Sequence, residues 1–344
     1  MKLITKLLSF CLTLVLFVTT LMPSAAMASP SLDQEKQVFI LSILSNAVSS
    51  NWGTQKHLQE LLKERVTKVL ETPSIQKDIG NWDVVWGPVV YKPKISKYAA
   101  HSMYVAQNGN QYVVALAGTN PTSLFDWIEN AEVKEQVNWD YGDKPLYLEP
   151  KISKGAYLGL NILLQEMKSS DQTVLEFLGE KVKNSADNIE IIFAGHSLGG
   201  ILSSTFALAA LDQKSQWSGD KPFKISVYPS AGPTAGNLDF STYYDSRLEA
   251  STKRIWNDID MFPHMWNETM LSEIPSLYEP EIEASKAVEF LVRGAKKLAQ
   301  GGDYTQIETA MPGLEGTINL SSSLCPNLSS STSTFIVDEE LSQV

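Results

Sequence analysis

The stretch that most constrains the fold of this 344-residue chain is Ile189–Leu211. An apolar, β-branched run is followed by the turn G-H-S-L-G (195–199) and then by an apolar helix, which is the pattern of a buried strand feeding a helix. A serine in G-x-S-x-G at such a junction predicts a nucleophile elbow with an exposed hydroxyl. The unpaired N–H groups of the helix's first turn can stabilise a developing oxyanion. We therefore predict Ser197 as a nucleophile, the alternative being a glycine-rich turn that serves packing alone. His196 points away from it across the turn and is expected to pack or hydrogen-bond.

The first 28 residues have the composition of an export signal. Lys2 and Lys6 precede an uncharged apolar run, and Ala26-Met27-Ala28 fits a cleavage site. We expect an exported protein, secreted or periplasmic, after cleavage near Ala28. A retained membrane anchor is the alternative, although the apolar run is short for a span. Cleavage would leave Cys325 as the only cysteine, so no intramolecular disulfide is expected.

The chain is acidic, with 28 basic and 39 acidic residues and a net charge of −11. Loss of the two leader lysines makes the balance 26 − 39, or −13. Such a charge makes the whole chain a poor candidate for binding nucleic acid or anionic lipid surfaces. We interpret it as a solvated acidic surface.

Hydrophobic periodicity predicts an α/β arrangement. Strand and helix signals alternate on both sides of Ser197, which favours a parallel sheet with right-handed crossovers and places the serine at the carboxyl end of a strand. Before the serine motif, we expect helices between Ser31 and Leu70 with a break near 51–53, and a piece at Trp82–Tyr91 that covers a sheet edge or lines a crevice. A hairpin follows, made of Ser102–Ala106 and Gln111–Ala117 around Asn108-Gly109. The remaining expected elements are helices at Gly155–Met167 and Thr173–Lys183, a strand at Lys224–Tyr228, a helix at Ala284–Ala299 and a possible strand at Asp303–Ile307.

Three further segments, in order, carry a family resemblance. They are V-V-A-L-A-G-T (113–119) followed by D-W, S-A-G-P-T-A-G-N (230–237), and R-I-W-N-D-I-D-M-F-P-H (254–264). With the elbow, they resemble the class 3 (fungal triacylglycerol lipase-like) family of α/β-hydrolases over roughly Ser102–His264. The resemblance implies a central, mostly parallel sheet flanked by helices, with an N-terminal helical extension and a short lid.

The resemblance also implies an oxyanion hole and a lid. Thr119, through its backbone N–H and hydroxyl, would join the backbone N–H of Leu198 around the oxyanion. Ala117 stands where the family usually has an arginine, so one supporting contact differs. The lid would carry an apolar cluster that touches lipid aggregates transiently, the alternative being an ordinary packed connection; its residues are Leu124, Phe125, Trp127 and Ile128.

The family resemblance also assigns the acid of the catalytic triad, but it identifies no histidine as the base. Asp260, and not Asp258, matches the family's triad acid, whereas the base should follow the acid in the chain. No histidine follows His264, and the four histidines are His57, His101, His196 and His264. Three explanations stay open: the chain is truncated relative to a functional ancestor, His264 or His101 is recruited from an unusual place, or the protein is noncatalytic.

By resemblance, the expected activity is hydrolysis of carboxylic esters, acylglycerols or related lipids, through an acyl-enzyme on Ser197 and without a metal or organic cofactor. The alternatives are a catalytically impaired lipid-binding or cell-envelope interaction protein, and a peptidase or thioesterase on the same scaffold. The oligomeric state is not indicated. The expected organisation is a signal peptide (1–28), a helical extension packed on the core (29–100), the lipase-like domain (101–320) and a Ser-rich tail (321–344), which is truncated only under the first of the three explanations.

Overall fold

The computed structural model describes residues 30–118, 133–186, 188–219, 221–307 and 312–318. Its helices are α1 (Pro30–Leu44), α2 (Gln55–Leu70), α3 (Pro73–Ile79), α4 (Lys154–Asn161, continued by a π-turn at Ile162–Glu166), α5 (Val174–Asn184), α6 (Leu198–Asp212), α7 (Lys214–Trp217), α8 (Leu238–Leu248), α9 (Glu268–Glu273) and α10 (Lys286–Ala299), with 3₁₀ turns at Glu249–Ser251 and Ile274–Ser276. Its strands are β1 (Asp83–Tyr91), β2 (His101–Asn108), β3 (Gln111–Leu116), β4 (Gln136–Asn138), β5 (Lys151–Ser153), β6 (Lys168–Ser169), β7 (Gln172–Thr173), β8 (Glu190–His196), β9 (Lys224–Ser230), β10 (Gly236–Asn237) and β11 (Tyr304–Thr305).

A five-stranded sheet in the order β1-β2-β3-β8-β9 forms the centre of the described chain. Strands β3, β8 and β9 are parallel, whereas β1, β2 and β3 are antiparallel. Among the described residues the sheet is therefore mixed, with two parallel and two antiparallel strand pairs. The antiparallel pairing of β2 with β3 has a local reason, since strands joined by a two-residue turn must run in opposite directions.

That turn is the predicted hairpin, displaced by one residue. Asn108 pairs with Gln111, so the loop is Gly109-Asn110 and not Asn108-Gly109. Gly109 has φ = 58°, a backbone angle that glycine adopts without strain.

The prediction for Trp82–Tyr91 was wrong, because β1 is itself the edge strand of the sheet. Its register with β2 shifts between Val84 and Trp86 and again between Trp86 and Val89. Pro88 lies within the second irregularity, where an edge strand tolerates the missing N–H. The sheet thus begins before residue 101, the boundary expected for the hydrolase domain.

Alternating side chains give the sheet two buried faces. Val114 and Phe193 point into one core, which α4, α5, α6 and α8 cover. Val113 and Ile192 point into the other, which α1, α2 and α3 cover. The N-terminal helices are therefore needed to bury a whole face of the sheet.

A third, smaller cluster lies around α9 and α10. It joins Val133, Trp266 and Tyr304 to the inner side of α10, and the Tyr304 hydroxyl donates to the Val133 carbonyl at 2.6 Å. Within the described residues, no helix has the length and apolar character needed to cross a membrane.

Candidate active site

The predicted nucleophile lies in a strained turn at the carboxyl end of β8. Ser197 has φ = 59° and ψ = −124° and immediately precedes α6. Its N–H donates to the Ser230 carbonyl at 2.9 Å, which ties the turn to the end of β9. A serine adopts this region of φ/ψ space only when the surrounding tertiary contacts hold it there. Backbone strain of this kind clusters at functional sites. The residue remains partly exposed although both its neighbours are buried.

The two glycines of the motif allow backbone to meet backbone. A Cβ on Gly195 would overlap the carbonyl oxygen of Gly199, and a Cβ on Gly199 would lie 2.5 Å from the Leu116 carbonyl oxygen. Neither oxygen can move without displacing the main chain. The motif's spacing is therefore required by the packing of β8, α6 and the end of β3 on each other.

Of the two residues predicted for the oxyanion hole, Leu198 lies among the described residues. Leu198 is the first residue of α6, where N–H groups have no intrahelical acceptor and the helix dipole favours negative charge. Gly118 adjoins it, since a Cβ there would lie 3.3 Å from the Leu198 nitrogen. The chain after β3 thus reaches the elbow one residue before Thr119. Thr119 and the predicted lid residues Leu124, Phe125, Trp127 and Ile128 lie outside the described residues.

A loop that extends the sheet beyond β9 carries the predicted acid. The Ala231 N–H donates to the Ile255 carbonyl at 2.8 Å, and the Ile255 N–H donates to the Pro229 carbonyl at 2.9 Å. This short parallel bridge carries the chain to the carboxyl edge of the sheet, and Asp260 follows five residues later. Ser197 and Asp260 therefore belong to the same edge, each held by residues at the end of β9.

Asp260 is buried without a cation beside it among the described residues. It is 9% exposed, and its Oδ1 accepts from the Phe262 N–H at 3.0 Å. Burial raises the pKa of this carboxyl from 3.8 to about 7, and the Phe262 hydrogen bond opposes the rise only in part. The environment is that of an acid whose ionised form requires a further donor or a positive partner.

His264 does not supply that partner. Its Nδ1–H donates to the backbone carbonyl of Asp260 at 2.8 Å, and its Nε2 faces a carboxylate oxygen of Glu273 at 3.6 Å. Burial lowers the pKa of the imidazole, and the Asp260 carbonyl opposes that change. The ring makes no hydrogen bond to the Asp260 carboxylate or to the Ser197 hydroxyl, so this geometry does not support His264 as the base.

The other three histidines do not hydrogen-bond to Ser197 or to the Asp260 carboxylate among the described residues. His196 contacts the Ser230 hydroxyl through Nδ1 at 3.2 Å, which confirms the hydrogen-bonding role expected for it. His101 is buried on β2 near Gly159 of α4, and its Nδ1 has no hydrogen-bond partner among the described residues. Burial lowers the pKa of both imidazoles to about 4. His57 is exposed on α2.

Sequence reasoning missed three residues that build this edge. Gly118 and Ser230 hold the elbow through main-chain contacts, for which the only signal was their place in the matching segments. Asp258 is partly buried and accepts from the Gly316 N–H at 2.8 Å. It thereby fixes residues 312–318 against the loop of Asp260.

The mixed sheet, the serine turn and the helix behind it define the chain as an α/β-hydrolase. The profile of the family Lipase (class 3) matches residues 113–270. Among solved structures, M37 lipase is 33% identical with a TM-score of 0.75, and the match covers 83% of this chain and 86% of that one. Lipase II from Rhizopus niveus is 16% identical, with a TM-score of 0.46 and coverages of 71% and 78%. No curated protein sequence matches the chain.

The chain therefore belongs to the class 3 lipase family, as the sequence predicted, and it is a lipase-type hydrolase with the α/β-hydrolase fold.

Proposed function

We propose that the protein is an exported serine ester hydrolase acting on acylglycerols or related lipid esters. The Ser197 hydroxyl attacks the ester carbonyl, the alcohol leaves, and water then hydrolyses the acyl-enzyme. The Leu198 N–H stabilises the oxyanion together with Thr119, and Asp260 is the acid of the site.

The observation that carries this proposal is the backbone of Ser197. A positive φ at a non-glycine residue is costly, and here the Ser230 carbonyl and the close contacts of Gly195 and Gly199 maintain it. The result is a serine presented at a helix N-terminus, beside a second main-chain segment at Gly118. Packing alone does not require a serine side chain in that turn.

Among the described residues, the proposed site has no histidine placed to act as the general base. In the positions the structure gives them, none of the four histidines bonds to Ser197 or to the Asp260 carboxylate. Proton transfer from the serine then depends on solvent, and loss of one triad member typically lowers kcat by orders of magnitude while leaving oxyanion stabilisation and binding intact. We expect slow, Ser197-dependent turnover.

The test is hydrolysis of p-nitrophenyl esters of increasing chain length, with peptide and thioester substrates for comparison. We expect esters to be preferred and Ser197→Ala to lower the rate to the small residual that oxyanion stabilisation and binding provide without the nucleophile. The matched control is Ser203→Ala, which removes a buried hydroxyl from the same helix; among the described residues this hydroxyl donates to the Gly200 carbonyl.

Two results would overturn the proposal. One is a rate of ester hydrolysis that Ser197→Ala leaves unchanged, because the nucleophile would then lie elsewhere. The other is the complete absence of ester turnover in a folded protein, which would leave lipid binding without hydrolysis as the function of the protein.

A further inference from the structure

Helix α10 carries its apolar side chains in an unusual arrangement. Toward the small cluster around Trp266 it presents Val292 and two alanines, whereas the larger Phe290 and Leu291 are 69% and 42% exposed. Packing normally places the largest apolar groups inside. Gly294, one turn after Phe290, is also exposed, and a Cβ there would meet no atom within 4 Å. The helix therefore has a second apolar face, directed to solvent.

Basic residues border that face. Helix α10 contains four basic residues and one acidic residue, a local charge of 4 − 1 = +3 in a chain of net charge −11. By helical spacing, Arg293 and Lys297 lie three and seven positions from Phe290, on the same side. Acidic residues precede the helix, at Glu279, Glu281 and Glu283. The positive charge is thus concentrated in the carboxyl half of the helix.

This half of the helix adjoins the candidate active site. Val292, Ala295 and Ala299 pack in one cluster with Val133, the residue at which the described chain resumes after the predicted lid. Met261, which directly follows Asp260, packs against the same cluster. A surface bound by the exposed face of α10 would therefore lie close to the edge of the sheet that carries Ser197 and Asp260.

We propose that α10 is an interfacial docking helix for anionic lipid surfaces. Phe290 and Leu291 insert among the acyl chains, and Arg293 and Lys297 contact anionic headgroups, as expected of a basic amphipathic helix at an interface. The net charge of the whole chain argued against such surfaces, but contact depends on the charge of the approaching face, because the remaining charges are screened within about 10 Å. The docking surface is separate from the predicted lid and does not require turnover.

The experiment uses the full chain carrying Ser197→Ala, so that vesicles stay intact. Binding is measured by co-sedimentation with phosphatidylcholine vesicles that contain or lack phosphatidylglycerol, and by hydrogen exchange of the peptide spanning 286–299. We expect phosphatidylglycerol-dependent, salt-sensitive binding that slows exchange in this peptide and not in α2. Phe290→Ser/Leu291→Ser and Arg293→Gln/Lys297→Gln should each weaken binding about tenfold or more.

Matched controls remove the same kinds of side chain from a different part of the molecule, in and before α2. Lys63→Gln/Lys68→Gln removes two exposed charges from α2, and Trp52→Ser removes an aromatic ring that is 66% exposed before that helix. Both should bind like the parent. When they retain the native Ser197, the α10 variants should hydrolyse a soluble short-chain ester at the rate of the wild-type protein. This comparison separates docking from catalysis.

The proposal is wrong if the α10 variants bind vesicles as the parent does, or if exchange in 286–299 is unaffected by vesicles. It is also wrong if sedimentation velocity shows a dimer that Phe290→Ser/Leu291→Ser dissociates, since the face would then join two copies of the chain.

Discussion

At the residue scale, the site depends on a carboxyl group, that of Asp260, which is buried with few hydrogen-bond donors around it. The Asp260 carboxylate accepts a hydrogen bond from the Phe262 N–H, and none of the four histidines bonds to that carboxylate. A buried carboxylate with so few donors favours its protonated form. The pKa of about 7 therefore has consequences for both stability and turnover.

Asp260→Asn should remove a pH-dependent loss of stability. The folded-state pKa is raised above its ordinary value of 3.8, so the native protein binds the extra proton between about pH 4 and pH 7. The stability that this proton contributes is complete below about pH 4 and is lost as the pH rises to 7. At pH 8 the variant should be more stable than the wild type by a few kcal/mol, since one pKa unit is worth about 1.4 kcal/mol. Urea unfolding across this range measures the difference, and parallel curves for the two proteins would refute the assignment.

Free imidazole should accelerate ester hydrolysis, because it can act as the base that no histidine provides. We expect a saturable increase of about tenfold, less than a positioned general base contributes. Imidazole itself cleaves activated esters, so the rate with Ser197→Ala is the blank to subtract. An increase of the same size in both proteins would show that imidazole does not act as a general base for the Ser197 hydroxyl.

Much of this site could be predicted from local patterns, and the rest could not. The strand, turn and helix around Ser197 form one continuous stretch, so their periodicity and glycines indicated the elbow directly. The bond from Gly316 to the Asp258 carboxylate joins residues 58 positions apart, and no local pattern reports such a contact. The orientation of His264 toward a main-chain carbonyl was hidden for the same reason, since it depends on how the loop folds back on itself.

At the scale of elements, the elbow is held by backbone-to-backbone contact, whereas α10 leaves open space. Gly199→Ala places a Cβ 2.5 Å from the Leu116 carbonyl oxygen, and Gly294→Ala places one where no atom lies within 4 Å. Neither glycine has a positive φ, so the difference between them is steric.

The paired substitutions should change stability in opposite directions. Gly199→Ala should lower the free energy of unfolding by about 3 kcal/mol or abolish soluble expression, and Gly294→Ala should raise it by about 0.5 to 1 kcal/mol. Thermal and urea unfolding compare the two. A harmless Gly199→Ala would mean that β8, α6 and the end of β3 do not pack as closely as described.

Element prediction failed where sequence signals conflicted. Pro88 opposed a strand at Trp82–Tyr91, but an irregular edge strand accommodates it. The hairpin was recognised because its turn residues are local, and the helix near Ala284–Ala299 because its apolar period is regular. Which strands became neighbours depended on contacts that period alone does not encode.

At the scale of the whole molecule, the N-terminal helices form one layer of a three-layer fold. Leu58 and Leu62 of α2 are completely buried, in the core that Val113 and Ile192 enter from the sheet. Periodicity indicated helices in this region, but the face they cover follows only from the assembled sheet. Belonging to the α/β-hydrolases thus could be predicted, whereas the balance of parallel and antiparallel strands could not.

Leu58→Ala should therefore destabilise the entire protein and not only a peripheral segment. Removing a buried leucine side chain typically costs about 2 to 5 kcal/mol, because a cavity is left behind. Leu146→Ala, at a fully exposed leucine, is the control and should change stability by less than about 0.5 kcal/mol. Urea unfolding followed through tryptophan fluorescence should show one shifted transition. An unchanged midpoint would mean that the N-terminal layer unfolds independently.

The most direct test of the account is covalent labelling of the wild-type protein with a fluorophosphonate, followed by peptide mass mapping. The account predicts a single, slowly formed adduct on Ser197, which Ser197→Ala abolishes and Ser203→Ala does not. A folded protein whose Ser197 stays unmodified, or whose adduct lies on another serine, would contradict the assignment of this turn as the nucleophile elbow.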